Sequence, residues 1–87
     1  MTIEADYGKF ELIIEDEGDG GDDSHAFLES VDGINTILNQ KIISVDESYD
    51  SSYGASIDIF THNGRATILI THEHNGYYGF SYELREV

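Results

Sequence analysis

The sequence predicts an α+β fold, in which one short helix packs on one face of a mostly antiparallel sheet of four or five strands. Two observations predict the sheet: apolar residues recur at every second position in several segments, and two Asn-Gly pairs separate such segments. A third observation, apolar residues at helical spacing after Ser24, predicts the helix. With 87 residues the chain has room for one domain, which we expect to span residues 1–87.

The N-terminal part of the chain predicts strands followed by a loop. Phe10, Leu12 and Ile14 recur with the period of a strand between Thr2 and Glu15. Gly8 marks either a tight turn after a short first strand or a bulge within one longer strand. Residues 15–23 contain three glycines and no apolar residue, so the sequence predicts a flexible acidic loop there.

The segment after this loop predicts the helix. Ser24 can accept hydrogen bonds from the first helical N–H groups, so we place the helix start there. One helical face would carry Phe27, Val31, Ile34 and Leu38. Gly33 interrupts the pattern, so we expect two to three turns that end near residues 32–33, with a less regular continuation to Asn39.

The first Asn-Gly pair predicts a hairpin. Before it, the sequence predicts a strand over residues 41–49, in which Ile43 and Val45 share a face, and then a loop over residues 50–54. Residues 55–62 and 65–72 flank Asn63-Gly64, a sequence typical of a two-residue hairpin turn. This turn would pair the large aliphatic residues of the two strands with each other and Thr61 with Ala66. The expected pairs are Ile59 with Ile68 and Ile57 with Ile70.

The second Asn-Gly pair predicts that the last strand pairs with the strand before it. A two-residue loop at Asn75-Gly76 would set Ile70 opposite Ser81, which places a polar residue against an apolar one. A loop of three or five residues around Asn75-Gly76-Tyr77, with a bulge, removes this mismatch. The expected pairs are then His72 with Phe80, Ile70 with Tyr82 and Ile68 with Leu84.

Charge is the feature that bears most on function. Eighteen Asp and Glu residues stand against four Lys and Arg, which gives a formal net charge of −14. Because such a chain repels polyanions, we expect no direct contact with nucleic acid or with anionic membranes. A basic protein surface or a cation is the partner that the charge favours.

The chain lacks the signatures of an enzyme, a membrane protein or a secreted protein. It has no cysteine, no Gly-x-Ser-x-Gly element and no phosphate-binding glycine loop, so we expect neither catalysis nor a cofactor. No apolar run is longer than three residues, as in Leu12–Ile14, which is too short to span a membrane, and no signal peptide is visible. We therefore expect a cytoplasmic protein, monomeric or paired through an edge strand as a homodimer.

The histidines and the acidic loop are the two places where the sequence could bind a metal ion. His72 and His74 lie on the same side of a strand and could share Zn²⁺ if His25 or a carboxylate supplied a third ligand. The hairpin register instead sets His72 beside Phe80, which predicts a partly buried histidine stacked on a ring and no metal site. The loop does not match an EF-hand, because a count from Glu15 puts Ala26 at the twelfth position.

The candidate partner-binding residues fall into two patches. The first patch follows the acidic loop and comprises Glu15, Asp16, Glu17, Asp19, Asp22 and Asp23. The second patch comprises Asp46, Glu47, Tyr49 and Asp50. Carboxylates can meet Lys and Arg of a partner, and tyrosine gives a large contact area at a small loss of side-chain entropy.

The C-terminal half resembles a family of short, uncharacterised phage and bacterial proteins. The segments QKIISVDES, IDIFTHNGRATILITHEH and YGFSYELREV are similar to the family's pattern of Gly-Lys-x-Ile-x-x-Val-Glu, a Thr-x-x-Gly turn, a strand ending in His-Glu and an acidic last strand. The cysteine pair that follows His-Glu in the family is replaced here by aromatic residues. The resemblance covers residues 39–87, brings no established activity, and implies a phage or mobile-element origin.

These observations lead to three functional hypotheses. The first is an acidic inhibitor, phage-encoded and acting in the host cytoplasm, that blocks a nucleic-acid-binding defence enzyme such as a CRISPR effector or a restriction enzyme, partly by DNA mimicry. The second is an immunity protein that neutralises a basic nuclease toxin. The third is a ligand- or metal-binding module that uses His72 and His74.

Overall fold

The computed structural model describes residues 2–16, 24–51, 53–74 and 79–87. The described residues form two antiparallel sheets, so the prediction of an α+β fold with a packed helix was wrong. Seven strands follow one another along the chain: β1 (Thr2–Asp6), β2 (Phe10–Asp16), β3 (Ser24–Asp32), β4 (Ser44–Asp50), β5 (Gly54–Thr61), β6 (Gly64–His74) and β7 (Phe80–Glu86). The strand order is β1-β2-β7 in one sheet and β3-β6-β5-β4 in the other.

The segment predicted to begin the helix is a strand that contains a β-bulge. The segment that follows Ser24 is β3, which pairs with β6, and its register shifts between Leu28 and Ser30. Because the bulge adds one residue, Leu28 and Val31 both pack against the core although they lie three positions apart. The same bulge places Phe27 and Val31, which the prediction assigned to one helical face, on opposite faces of β3. Helical geometry within the described residues is limited to the 3-10 turn Ile34–Thr36.

One hydrophobic cluster joins the two sheets. Its fully buried large side chains are Phe10, Leu12, Ile14, Ile37, Ile57, Ile59, Ile68 and Phe80. Apart from Ile37, they come from β2, β5, β6 and β7, at alternate positions where one strand supplies several, as expected when one face of each sheet is buried. Ile37 comes from the segment after the 3-10 turn, whereas its neighbours Ile34 and Leu38 are both 43% exposed. Of the four residues predicted to line a helical face, Val31 alone packs against this cluster.

The β5–β6 hairpin forms with a register two residues away from the predicted one. Its turn is His62-Asn63, so that Ile57 pairs with Ile68 and Ile59 with Ala66. The predicted turn requires a positive φ at both Asn63 and Gly64, and only Gly64 has one, at 135°. A shift of two residues keeps every side chain on its face, so the predicted inward positions in β5 and β6 are confirmed.

The last strand pairs with β2 rather than with β6, so this pairing prediction was wrong. β6 lies between β3 and β5 and has no free edge, while β7 sets Tyr82 opposite Ile14 and Leu84 opposite Leu12. The rings of His72 and Phe80 nevertheless meet across the two sheets, with centroids 5.1 Å apart. The predicted contact of His72 with Phe80 is therefore confirmed, although His72 is buried rather than partly buried and the two rings are inclined at 45° rather than stacked. The predicted loop at residues 75–77 lies outside the described residues.

Several of the segments that connect the strands lie at one end of the molecule. We call it the hairpin end (residues 7–9, 33–43, 62–63 and 87). Gly8 forms the tight turn between β1 and β2, which confirms the first of its two expected roles. Its φ is 91°, and a Cβ there would lie 2.0 Å from Oδ1 of Asn39. The Asn39 N–H donates to the Tyr7 carbonyl at 2.7 Å, and the Val87 N–H donates to the Lys9 carbonyl at 3.0 Å.

Candidate protein-binding surface

The first predicted patch belongs only in part to a loop. β2 continues to Asp16, so Glu15 and Asp16 lie in a strand, paired with Ser81 and Phe80 of β7. The Glu15 side chain is exposed. The prediction of a flexible loop was therefore wrong for these two residues. The other four members, Glu17, Asp19, Asp22 and Asp23, lie outside the described residues.

The second predicted patch lies on the edge strand β4 and is divided between two sides of it. Because side chains alternate along a strand, Asp46 and Asp50 project from the outer face of the four-stranded sheet. Glu47 and Tyr49 project from the opposite side, toward β7. Ile43 lies before β4 and is 56% exposed, so it does not share an inward face with Val45 as predicted.

The outer face of the three-stranded sheet carries carboxylates that sequence reasoning did not single out. This first acidic face comprises Glu4, Asp6, Glu11, Glu15 and Glu83. Its cation is Arg85, whose guanidinium lies 3.5 Å from Glu11 and 3.4 Å from Glu83. Because all three side chains are solvent-accessible, these ion pairs contribute little to stability, and the face keeps a negative surplus.

The outer face of the four-stranded sheet carries a second set of carboxylates in one cross-strand row. The pairing register places Asp32, Thr67, Asp58 and Asp46 side by side across β3, β6, β5 and β4. The Thr67 hydroxyl donates to Oδ1 of Asp58 at 2.6 Å. Asp46 lies directly opposite Asp58, an arrangement of like charges that destabilises a sheet. The sequence therefore places charge here at some expense to the fold.

The charges are distributed unevenly along the strands. All four Lys and Arg side chains lie at or near the hairpin end: Lys9, Lys41, Arg65 and Arg85. The acidic residues Asp6, Asp32 and Glu86 lie at or next to the same end. The opposite ends of the strands carry Glu15, Asp16, Asp50 and Glu73, which we call the acidic end. No Lys or Arg of the described segments lies there.

A groove opens between the edge strands of the two sheets. We call it the seam groove, and it is lined by Val45, Glu47, Tyr49, Ser81, Tyr82 and Leu84. The ring of Tyr49 stands perpendicular to that of Tyr82, with centroids 5.3 Å apart, and also meets Phe80 edge to face. The Tyr49 hydroxyl donates to the Phe80 carbonyl, and the Tyr82 hydroxyl donates to Oε2 of Glu47. These contacts connect β4 to β7.

The environment of Tyr82 keeps its hydroxyl protonated. Burial, the hydrogen bond to Glu47 and the negative charges nearby raise the pKa of Tyr82 well above its ordinary value of 10.0. The hydroxyl is therefore a donor throughout the neutral range. It orients one oxygen of Glu47 and leaves the remaining lone pairs of that carboxylate for other donors.

The described residues show neither a metal site nor a membrane-spanning helix. They contain no group of three or more His, Cys, Asp or Glu side chains that could hold a metal ion. His72 is 4% exposed and packs on Phe80. Over the same residues, no helix has the length and apolar character needed to cross a bilayer. Charge and the seam groove are the features that remain to be explained.

Comparison of the chain with protein-family models, with curated proteins and with solved structures found no match. The function is therefore inferred from the charges and contacts described above.

Proposed function

We propose that this protein is an acidic inhibitor that binds the basic, nucleic-acid-contacting surface of another protein, in part by presenting carboxylates where that surface expects phosphates. The supporting observation is the placement of exposed carboxylates on strands, where they outnumber the cations on both outer faces and where no Lys or Arg of the described segments lies at the acidic end. Carboxylates fixed on a sheet lose little conformational freedom on binding, so more of their attraction is retained. Long-range attraction also speeds association with a basic groove.

The class of target follows from the sign and extent of the charge. A net charge of −14 on 87 residues exceeds what solubility requires, which is roughly 2–8 units. Nucleic-acid enzymes present large basic clefts, and their natural ligand is a regular array of anions. We therefore propose a nucleic-acid-binding enzyme as the target, in line with the CRISPR effector or restriction enzyme expected from the sequence.

Competition with DNA tests this proposal. Purified protein would be added to a panel of RNA-guided and restriction nucleases, and cleavage would be measured at several concentrations of DNA and of salt. We expect inhibition that excess DNA relieves and that weakens steeply as salt rises, because screening shortens the reach of the charges. Inhibition that responds to neither DNA nor salt would contradict charge mimicry.

A second candidate function is supported by two exposed tyrosines. Tyr49 is 48% exposed and Tyr53 is 73% exposed, and both lie beside the turn that joins β4 to β5. An immunity protein that binds one basic toxin tightly would use such rings as central anchors. In that case Tyr53→Ala alone would abolish most of the affinity for the toxin, whereas a charge mimic would lose affinity gradually as carboxylates are removed.

A further inference from the structure

The walls of the seam groove come from two strands that each form the edge of a sheet. β4 is the last strand of the four-stranded sheet and β7 is the last strand of the three-stranded sheet. The aliphatic side chains Val45 and Leu84 are half-buried in its walls. The ring of Tyr49 is about half exposed beside them, so an apolar chain entering the groove would displace water from these surfaces.

A single carboxylate interrupts these apolar walls. Glu47 is exposed, and within the described residues no lysine or arginine pairs with it. The hydrogen bond from Tyr82 fixes one of its oxygens. A purely apolar occupant would bury this charge without a partner, and an anion would be repelled by it. The lining therefore suits a group with an apolar stem and a cationic tip.

Arginine fits this lining better than lysine does. Its planar guanidinium can stack on a tyrosine ring and present two parallel N–H groups to one carboxylate, whereas an ammonium is a strongly hydrated point charge. The two tyrosine rings stand at 90° to each other, so one can face a planar group while the other borders its stem. Glu47 supplies the matching acceptor.

We propose that the seam groove binds an arginine side chain of the basic partner, with the guanidinium on Glu47 and the stem between Tyr49, Val45 and Leu84. This proposal rests on the proposed function, because it assumes a basic partner. It adds one specific contact to an attraction that is otherwise spread over many carboxylates. The groove would thereby fix the orientation in which the partner is bound.

A small-molecule probe tests the groove without knowledge of the partner. Labelled protein would be titrated with N-acetylarginine methylamide and followed by amide chemical shifts, with the citrulline analogue as a neutral control of the same shape. We expect shifts concentrated at Val45, Tyr49, Ser81 and Leu84 with the arginine probe and none with citrulline. Equal responses to both probes, or shifts spread over the first acidic face, would overturn the proposal.

Two neighbouring substitutions separate the groove from general charge. Glu47→Gln and Asp46→Asn remove the same charge from adjacent residues on opposite sides of β4, and Gln keeps an acceptor oxygen for Tyr82. We expect Glu47→Gln to weaken binding of the arginine probe about tenfold, as the loss of a charge-assisted contact predicts. Asp46→Asn should weaken it less than about twofold. Equal effects of the two variants would overturn the proposal.

The outcomes for the groove and for the proposed function are distinguishable. If the arginine probe binds the groove but the protein inhibits none of the nucleases, the assignment of the groove is supported and the inhibitor function fails. If the protein inhibits a nuclease in a salt-dependent manner but Glu47→Gln and Asp46→Asn inhibit equally, the function is supported and the groove proposal is overturned.

Discussion

The two ends of the molecule differ in what they contribute. At the hairpin end, the tight turn at Gly8, the buried side chain of Ile37 and the backbone bond between Asn39 and Tyr7 join both sheets. Cations and carboxylates are mixed there. At the acidic end, the described strands carry Glu15, Asp50 and Glu73, and the lysines and arginines of the described segments lie elsewhere. Connections concentrate at one end, and carboxylates at the other.

This difference shows how a small domain can tolerate a large net charge. Self-repulsion destabilises a compact protein, and its effect is smallest where charges are exposed and separated from the packed core. Substitutions that affect stability and substitutions that affect partner binding should therefore fall in different places. Three experiments can break or sharpen this separation.

The largest expected effect is on stability, from Ile37→Ala at the hairpin end. Ile37 is fully buried, so removing its side chain should lower the free energy of unfolding by about 3 kcal/mol through lost burial and a cavity. Urea denaturation measures this change. If the alanine variant does not fold, Ile37→Val takes its place, with an expected loss of about 1 kcal/mol in the free energy of unfolding. The matched control is Ile34→Ala, which should cost less than about 1 kcal/mol because Ile34 is 43% exposed. Equal losses from the two alanine variants would contradict the observed packing.

The next effect is on binding, from neutralising two carboxylates at each end. We expect Glu15→Gln with Asp50→Asn to weaken inhibition of a target nuclease by roughly two- to fivefold per charge at low salt. Asp32→Asn with Glu86→Gln, at or next to the hairpin end, removes the same total charge and should weaken inhibition less. Urea denaturation should show neither pair less stable than the parent. Equal loss of inhibition from both pairs would mean that only the net charge matters.

The smallest expected effect is on the free energy of unfolding at alkaline pH, and it involves two tyrosines. Burial raises the pKa of Tyr7 above 10.0, and burial together with Glu47 raises that of Tyr82. A raised pKa in the folded state means that the unfolded chain ionises first. This stabilising contribution is therefore complete below pH 10 and declines as pH rises further. We expect the free energy of unfolding to fall above pH 10, and to fall less steeply in Tyr7→Phe and Tyr82→Phe.

Glu47→Gln gives the control for this comparison. Removing its charge should lower the pKa of Tyr82 toward the ordinary value and leave that of Tyr7 unchanged, because only Tyr82 contacts Glu47. Ultraviolet absorbance during an alkaline titration measures tyrosine ionisation. An unchanged titration in Glu47→Gln would show that the hydrogen bond from Tyr82 does not form in solution.

The sequence predicted strands well where their pattern is local. Alternation assigned Ile57, Ile59, Ile68 and Ile70 to one inward face, and the structure confirms that face. It did not identify the register, because a shift of two residues preserves every face. The actual turn depends on the φ angles of Asn63 and Gly64, which residue type alone does not determine.

Features that depend on distant partners were not predicted. Phe80, Tyr82 and Leu84 match the apolar positions of β6 as well as those of β2, so alternation could not choose between them. The bulge in β3, which places Phe27 and Val31 on opposite faces, was not predicted for a similar reason, since a bulge is defined against its partner strand.

The candidate surface was predicted in composition but not in arrangement. The four residues of the second patch are exposed as expected, but their side chains project from two different sides of β4: Asp46 and Asp50 from one, Glu47 and Tyr49 from the other. Glu4, Glu11 and Glu83 were missed, because they form a face only once three strands far apart in sequence are paired. Acidic residues alternating with apolar ones in predicted strands were the available signal.

The pairing of β2 with β7 has a consequence for the order in which the chain folds. Phe10 pairs with Glu86, almost the full length of the chain away, whereas β4, β5 and β6 form a meander of neighbouring segments. During synthesis on the ribosome the meander can assemble early, but the three-stranded sheet must wait until β7 emerges. A chain truncated before β7 would leave the apolar side of β2 uncovered along one edge. Such a fragment should aggregate, even though it lacks only the final strand.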